Sequence, residues 1–217
     1  MNSGYTDSLI EPSPDAAAPG PRRLSRDALP HDTVALARAL IGKSLVHDLP
    51  GGRLAVRIVE TEAYPVGDRA GHAFIGRTRR NASLFRPFGH AYVYLGYGVS
   101  WLLNVSSEGD GVGAGVLLRA GEPTLGLAEM MRRRGRGRAV ELTSGPGKLC
   151  MAMGVDQRLD GADFFDGSGP LWLGEALRPA GEIGLSVRIG ISKDADRPLR
   201  FYERGNPFVS GPRKLSP

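Results

Sequence analysis

Two short segments constrain this chain most: RIVETEAY, from Arg57 to Tyr64, and AYVYLGYG, from Ala91 to Gly98. Both are rich in β-branched and aromatic residues and both stop at a breaker, Pro65 in one case and the Gly96/Gly98 pair in the other, so both are predicted strands. As neighbouring extended segments they bring two carboxylates and four tyrosines together, a grouping suited to cleaving a bond beside a flat aromatic group. In an extended segment Glu60 and Glu62 point to one face, roughly 6.5 Å apart at about 3.3 Å per residue. Paired acids at such a distance serve sugar-bond hydrolysis, where one of them activates a water. The same spacing also suits plain ion pairing with Arg57 or a loop arginine.

The rest of the chain supplies a frame. DTVALARALI (Asp32 to Ile41) is a predicted helix, opened by Asp-Thr and closed at Gly42. KSLVHD, a Leu-Pro-Gly-Gly turn and RLAVRIVETEAY predict a hairpin with Val56 and Ile58 toward the core and Arg57 and Val59 on the other side. Residues 65 to 89 form a long loop containing the basic cluster RTRRN. AYVYL, SWLLNVSS and GVLLRA add strands, and PTLGLAEMMRRR predicts a helix beginning near Pro123. GPGKLCMAMG predicts another helix, from after Ser144 to Gly154. LWL, IGLSVRIGI and LRFYE close the sheet. The expected fold is α+β: one domain with a curved antiparallel sheet, flanking helices and a hairpin protruding at Tyr97, spanning 23–217 behind a disordered tail at 1–22.

Composition bears on partners and compartment. Residues 1 to 20 hold Asp7, Glu11 and Asp15 and no Lys or Arg, which leaves 28 basic against 20 acidic side chains in the remainder. A basic body favours a polyanion, and nucleic acid over a membrane, because no apolar run reaches the ~18 residues of a span. One cysteine, Cys150, forms no internal disulfide, and the absence of a secretory leader pattern leads to an expected intracellular location. The four histidines have no metal-ligand spacing, so no metal is expected. GDGVGA (Gly109 to Ala114) has the letters of a dinucleotide-binding turn, but VLLRA follows it where a helix is required, which makes it a hairpin loop. TSGPGKL lacks the first glycine and the hydroxyl residue of a triphosphate loop, and no nucleotide cofactor is expected.

The tyrosines sharpen the reading. Tyr92 and Tyr94 share one strand face, and Tyr97, between two glycines, stands on a bend where a side chain can act as a wedge. A wedge unstacks a base step, and enzymes that act on a base first extract it. RIVETEAY, His72, YVYLGYG, LNVSSEGDG, VLLRAGEP, SGPGKL and LRFYERGNPFVS, in that order between about residues 35 and 210, resemble the alkyladenine (3-methyladenine, methylpurine) DNA glycosylases, the compact type without a helix-hairpin-helix.

The resemblance implies a role for each matched position. Glu62 is the base that directs water at C1′ of a damaged nucleotide, and Arg119 holds that water and a nearby phosphate. Glu60 supports. Tyr64, His72 and Tyr94 sandwich the flipped purine, Asn104 excludes the 2-amino group of guanine, and Tyr97 enters the minor groove. Lys148 lies near the DNA backbone.

An alkylated purine is cationic and leaves without protonation, so no strong acid is needed. Its charge gains roughly 0.5 to 2 kcal/mol from each tyrosine face. No lysine lies in the two tyrosine-bearing segments, so hydrolysis to an abasic site without strand cleavage is expected. The arginine run at Arg132, Arg133 and Arg134 reads either as a solvated helix end or as a phosphate clamp. The expected protein is a monomeric, cofactor-free repair enzyme acting on duplex DNA with alkylated purines. Its rivals are a non-catalytic binder of distorted DNA and an enzyme for free nucleosides.

Overall fold

The computed structural model describes residues 20–96 and 98–216. The chain runs α1 (Thr33–Ala39), β1 (Ser44–Leu49), β2 (Gly52–Tyr64), β3 (Ala91–Gly96), β4 (Ser100–Ser106), β5 (Gly115–Leu125), α2 (Leu127–Arg134), α3 (Val140–Thr143), α4 (Pro146–Met153), β6 (Leu171–Gly174), β7 (Ile183–Ser186) and β8 (Arg200–Glu203). The strands make one antiparallel sheet in the order β3-β4-β5-β2-β1-β6, with β8 on β2 and β7 on β8. The α+β class, the curved antiparallel sheet and the β3–β4 hairpin all agree with expectation.

β2 is the spine of the sheet. It pairs with β5 along one edge, while along the other its first half takes β1 and Glu60 to Glu62 take β8. Register shifts between Ile58 and Thr61 leave Val59 and Arg119 without a partner in the ladder. Such bulges raise twist and re-aim a side chain, and here they turn Arg119 toward the two glutamates of β2. On the core side Leu45, Leu54, Ile58, Leu118 and Phe201 pack with Leu36 and Leu40 of α1 and Leu149 of α4. The opposite face of β2 is not left to solvent either: Arg57 and Val59 are both buried.

Local chemistry explains the helix ends. Asp32 accepts from the Ala35 amide at the start of α1, a cap of about 1 kcal/mol. Proline at the first position opens α4 and left-handed Gly154 closes it. The helix expected from Pro123 begins later: β5 continues through Pro123 to Leu125, and α2 starts after left-handed Gly126. Beyond Leu117 β5 no longer pairs with β4 and has only an isolated bridge from Ala120 to Ser144 on that side, so a proline further on costs the sheet little.

Two other expectations change. IGLSVRIGI is a strand only over Ile183–Ser186, after which the chain leaves the ladder. The segment 65–89 is not a plain loop. It holds 3-10 turns at His72–Ile75 and Ala82–Phe85, tied by buried Asn81, whose amide nitrogen donates to the carbonyls of His72 and Gly76 at 2.9 Å each. The expected tail lies outside the described residues as far as 19, and beyond them Pro21 is buried while Arg22 pairs with Glu175.

Candidate active site

A cavity of about 440 Å³ opens where β2, β3, β4 and β5 meet the 65–89 segment. That size lies within the range of about 300 to 1,000 Å³ typical of small-molecule pockets. Tyr64 of β2 forms one wall, and Tyr94, Tyr92 and His72 form another. The rings of Tyr92 and Tyr94 stack at 5.2 Å, as expected for residues two apart on one strand face. His72 meets Tyr94 edge-on at 4.4 Å, and its Nδ1 lies 2.8 Å from the Tyr92 hydroxyl.

Burial, followed by the charge of Arg80, lowers the pKa of His72, so the ring is neutral at pH 7 and keeps one N–H and one lone pair. Burial also raises the phenols of Tyr64 and Tyr92, with the Glu62 carboxylate adding to the effect at Tyr64. Both therefore stay protonated and available as donors.

Beneath the aromatic walls lies a network of opposite charges. Arg119 donates from Nε to Oε1 of Glu60 at 3.0 Å, places Nη1 3.1 Å from Oε1 of Glu62 and donates from Nη2 to Ser210 Oγ at 3.3 Å. Burial pulls the guanidinium toward neutrality, but Glu62 and Glu60 outweigh that pull and keep it charged. Glu60 is fully engaged, accepting also from Arg200 Nε at 2.6 Å and from the Ser210 amide at 2.6 Å. Glu62 accepts the Ile189 amide at Oε1 (2.7 Å) and the Tyr64 hydroxyl at Oε2 (2.9 Å). Its carboxylate is buried behind Tyr64 and Arg119, which themselves line the cavity. A carboxylate oxygen has two acceptor sites, so Oε2 keeps one beyond its bond to Tyr64.

The residues singled out in the sequence divide into two groups. Tyr64, His72, Tyr94, Asn104 and Arg119 all line the cavity, with Glu62 directly behind it. Asn104 is buried opposite Tyr92, and its Nδ2 donates to the Tyr92 carbonyl at 3.2 Å. Lys148 is exposed in the first turn of α4, two residues after Pro146 at the cavity edge. Arg132, Arg133 and Arg134 do not reach the cavity: the first two pair with Glu129, and Arg134 donates to the carbonyls of Leu142 and Glu141. Tyr97 lies outside the described residues. Its hairpin neighbour Val99 is 81% exposed.

Several residues at the site were not singled out. Arg188 stacks 4.6 Å from the centre of the Tyr64 ring, is buried against Asp68 at 2.8 Å, and precedes the Ile189 amide that holds Glu62. Ile189, Gly190 and Ile191 line the cavity, and the strand-like lettering of VRIGI concealed this. Arg200 and Ser210 lie near the two ends of LRFYERGNPFVS, but were given no role there. Among the described residues no group of three His, Cys, Asp or Glu side chains is placed to hold a metal ion, and no described helix is long and apolar enough to cross a membrane.

A cavity walled by phenols, with an arginine on its lining and two buried carboxylates behind that arginine, has the layout of an enzyme that cleaves a bond beside a flat aromatic group. The sequence model of the methylpurine-DNA glycosylase family matches residues 27–207, and the chain belongs to that family of DNA glycosylases. It is 59% identical over 192 residues to a protein of Mesorhizobium japonicum named as a candidate 3-methyladenine DNA glycosylase, covering 88% of this chain and 92% of the relative. A protein of the same name from Paraburkholderia phytofirmans is 55% identical over 88% of this chain and 90% of its own length. One from Methanocella arvoryzae is 48% identical over 86% and 95%.

Proposed function

We propose that this chain is a monofunctional 3-methyladenine DNA glycosylase of base excision repair. It extrudes an alkylated purine nucleotide from duplex DNA and hydrolyses its N-glycosidic bond. The base enters between Tyr64 and the Tyr94/His72 wall. The C1′–N bond breaks with its electron pair leaving on the already cationic base, and water adds to C1′. Glu62 accepts the proton of that water, and Arg119 holds the reacting water and the adjacent phosphate. Asn104 crowds the 2-amino group of guanine, Tyr97 fills the vacated stack, and Lys148 with Arg132, Arg133 and Arg134 contacts the backbone. The protein acts inside the cell as a monomer, without metal or nucleotide cofactor.

The observation that carries this reading is the single guanidinium of Arg119, which joins two buried carboxylates at the floor of an aromatic cavity. A binding module has no need of two buried acids there, since each costs desolvation. The attacking water takes the acceptor site that Oε2 of Glu62 keeps beside the Tyr64 hydroxyl. Duplex DNA with one 3-methyladenine or 1,N6-ethenoadenine, incubated with the wild type and with Glu62→Gln, tests the proposal through released base. No release by the wild type would return the site to the rival reading of a non-catalytic binder, and equal release by the two proteins would remove Glu62 from the chemistry. Strand nicking would contradict a monofunctional enzyme.

A further inference from the structure

We infer that Ser210 is a positioning residue for Arg119, and that the segment from Ser210 to Ser216 holds the buried network behind the active site. This rests on the proposed role of Arg119 in the reaction. Ser210 makes three bonds into the buried network, one from each of its polar groups. Its amide donates to Oε2 of Glu60 at 2.6 Å, its Oγ accepts from Nη2 of Arg119 at 3.3 Å, and its carbonyl accepts from Nη2 of Arg200 at 3.1 Å. Arg200 then binds the segment again through the Leu215 carbonyl and Ser216 Oγ, each at 2.8 Å.

The geometry gives each nitrogen of Arg119 its own partner: Nε has Glu60, Nη1 has Glu62 and Nη2 has Ser210. Contacts at Nε and Nη1 alone leave the planar guanidinium free to tilt about the line joining them. The third contact, on the remaining nitrogen, sets the plane. Glu60 alone does not supply this, because its Oε1 is shared between Arg119 and Arg200 while its Oε2 is held by the Ser210 amide. Ser210 closes the LRFYERGNPFVS run, three residues past the end of the matched span. Ser210 is not part of the cavity lining, and acts through its bonds to Glu60, Arg119 and Arg200.

The test compares Ser210→Ala, Ser210→Thr, Arg119→Lys and the double variant Arg119→Lys/Ser210→Ala in the full chain. The readouts are single-turnover excision of 3-methyladenine, binding to the same duplex, and urea unfolding. Misplacement on the scale of an ångström costs up to about a hundredfold in rate, and we expect Ser210→Ala to lose roughly ten- to a hundredfold. DNA affinity should stay close to wild type, the unfolding midpoint should fall only by the modest amount of one buried hydrogen bond with the protein folded throughout the assay, and Ser210→Thr, which keeps the hydroxyl, should recover most of the rate. Residues acting through one another are not additive, so Ser210→Ala should add little to Arg119→Lys. A wild-type rate for Ser210→Ala, a loss matched by lost stability, or full additivity overturns the inference. A wild-type rate for Arg119→Lys overturns instead the role given to Arg119.

Discussion

The Tyr64 hydroxyl donates to Oε2 of Glu62 at 2.9 Å, and the same tyrosine ring forms a wall of the cavity. One side chain thus joins the surface that takes a base to the acid beneath it. Residues two apart on a strand face one way, and β2 uses that parity to place hydroxyl and carboxylate together. Arg188 presses on the Tyr64 ring while its chain neighbour Ile189 holds the other oxygen of Glu62.

Removing only the hydroxyl separates the two functions. Tyr64→Phe keeps the ring and should bind lesion-containing duplex as wild type does, while altering the excision rate through Glu62. The loss of one buried hydrogen bond should cost about 1 to 2 kcal/mol of stability. Parallel binding, single-turnover and urea measurements check all three, and a binding loss as large as the rate change would contradict the separation.

Glu62→Gln keeps the shape but removes the proton acceptor. A positioned general base contributes typically about 10²- to 10⁴-fold, so excision should fall within that range while duplex binding persists. Released base, assayed beside a binding titration, decides it.

The depressed His72 gives a signed pH dependence. Burial and Arg80 lower its pKa, so the ring stays neutral at neutral pH and protonates only below the usual value near 6.5. A group with a lowered folded pKa contributes stability that is full above the unfolded value and lost as pH falls through the folded one. An imidazolium beside a cationic base also repels it, so affinity for 3-methyladenine duplex should weaken as pH falls below about 6.5. Binding isotherms between acid and neutral pH, with His72→Gln losing the dependence, test the point.

Away from the cavity, Arg57 and Glu203 form a buried bidentate pair at 2.5 and 2.6 Å. Burial works against ionisation of Glu203, but its bonds from Arg57, the Gly181 amide and Asn206 prevail and hold its pKa at about 2. Being lowered from 4.5, this carboxylate contributes stability that is present above pH 4.5 and lost as pH falls toward 2. Glu203→Gln leaves buried Arg57 with only the longer contact to Glu122 at 3.6 Å and the Pro179 carbonyl at 3.3 Å, so the cost should approach the about 3 to 5 kcal/mol typical of breaking a buried pair. Chemical denaturation at neutral pH measures it.

The arginines of α2 are tested by salt. Each phosphate neutralised adds about 0.9 to the slope of log affinity against log salt, so Arg132→Ala/Arg133→Ala should reduce the slope by nearly two units if both leave Glu129 for DNA. An unchanged slope would remove them from the interface.

Sequence alone determined much of the local structure, because strand alternation, glycine and proline stops and helix caps act between residues close in the chain. RIVETEAY and AYVYLGYG were readable as strands, GDGVGA as a hairpin loop and GPGKLCMAMG as a helix. The face shared by Glu60 and Glu62, and the gathering of Tyr64, His72, Tyr94, Asn104 and Arg119, were legible from parity and motif order. Only the tertiary structure decided that β5 runs through Pro123, since this depends on whether a neighbouring strand needs the missing amide. It alone brought Ile189, Arg200 and Ser210 to two glutamates at least 127 residues earlier in the chain. Buried charges are satisfied by whichever polar groups the folded sheet delivers to them, and that matching leaves no periodic trace in the letters.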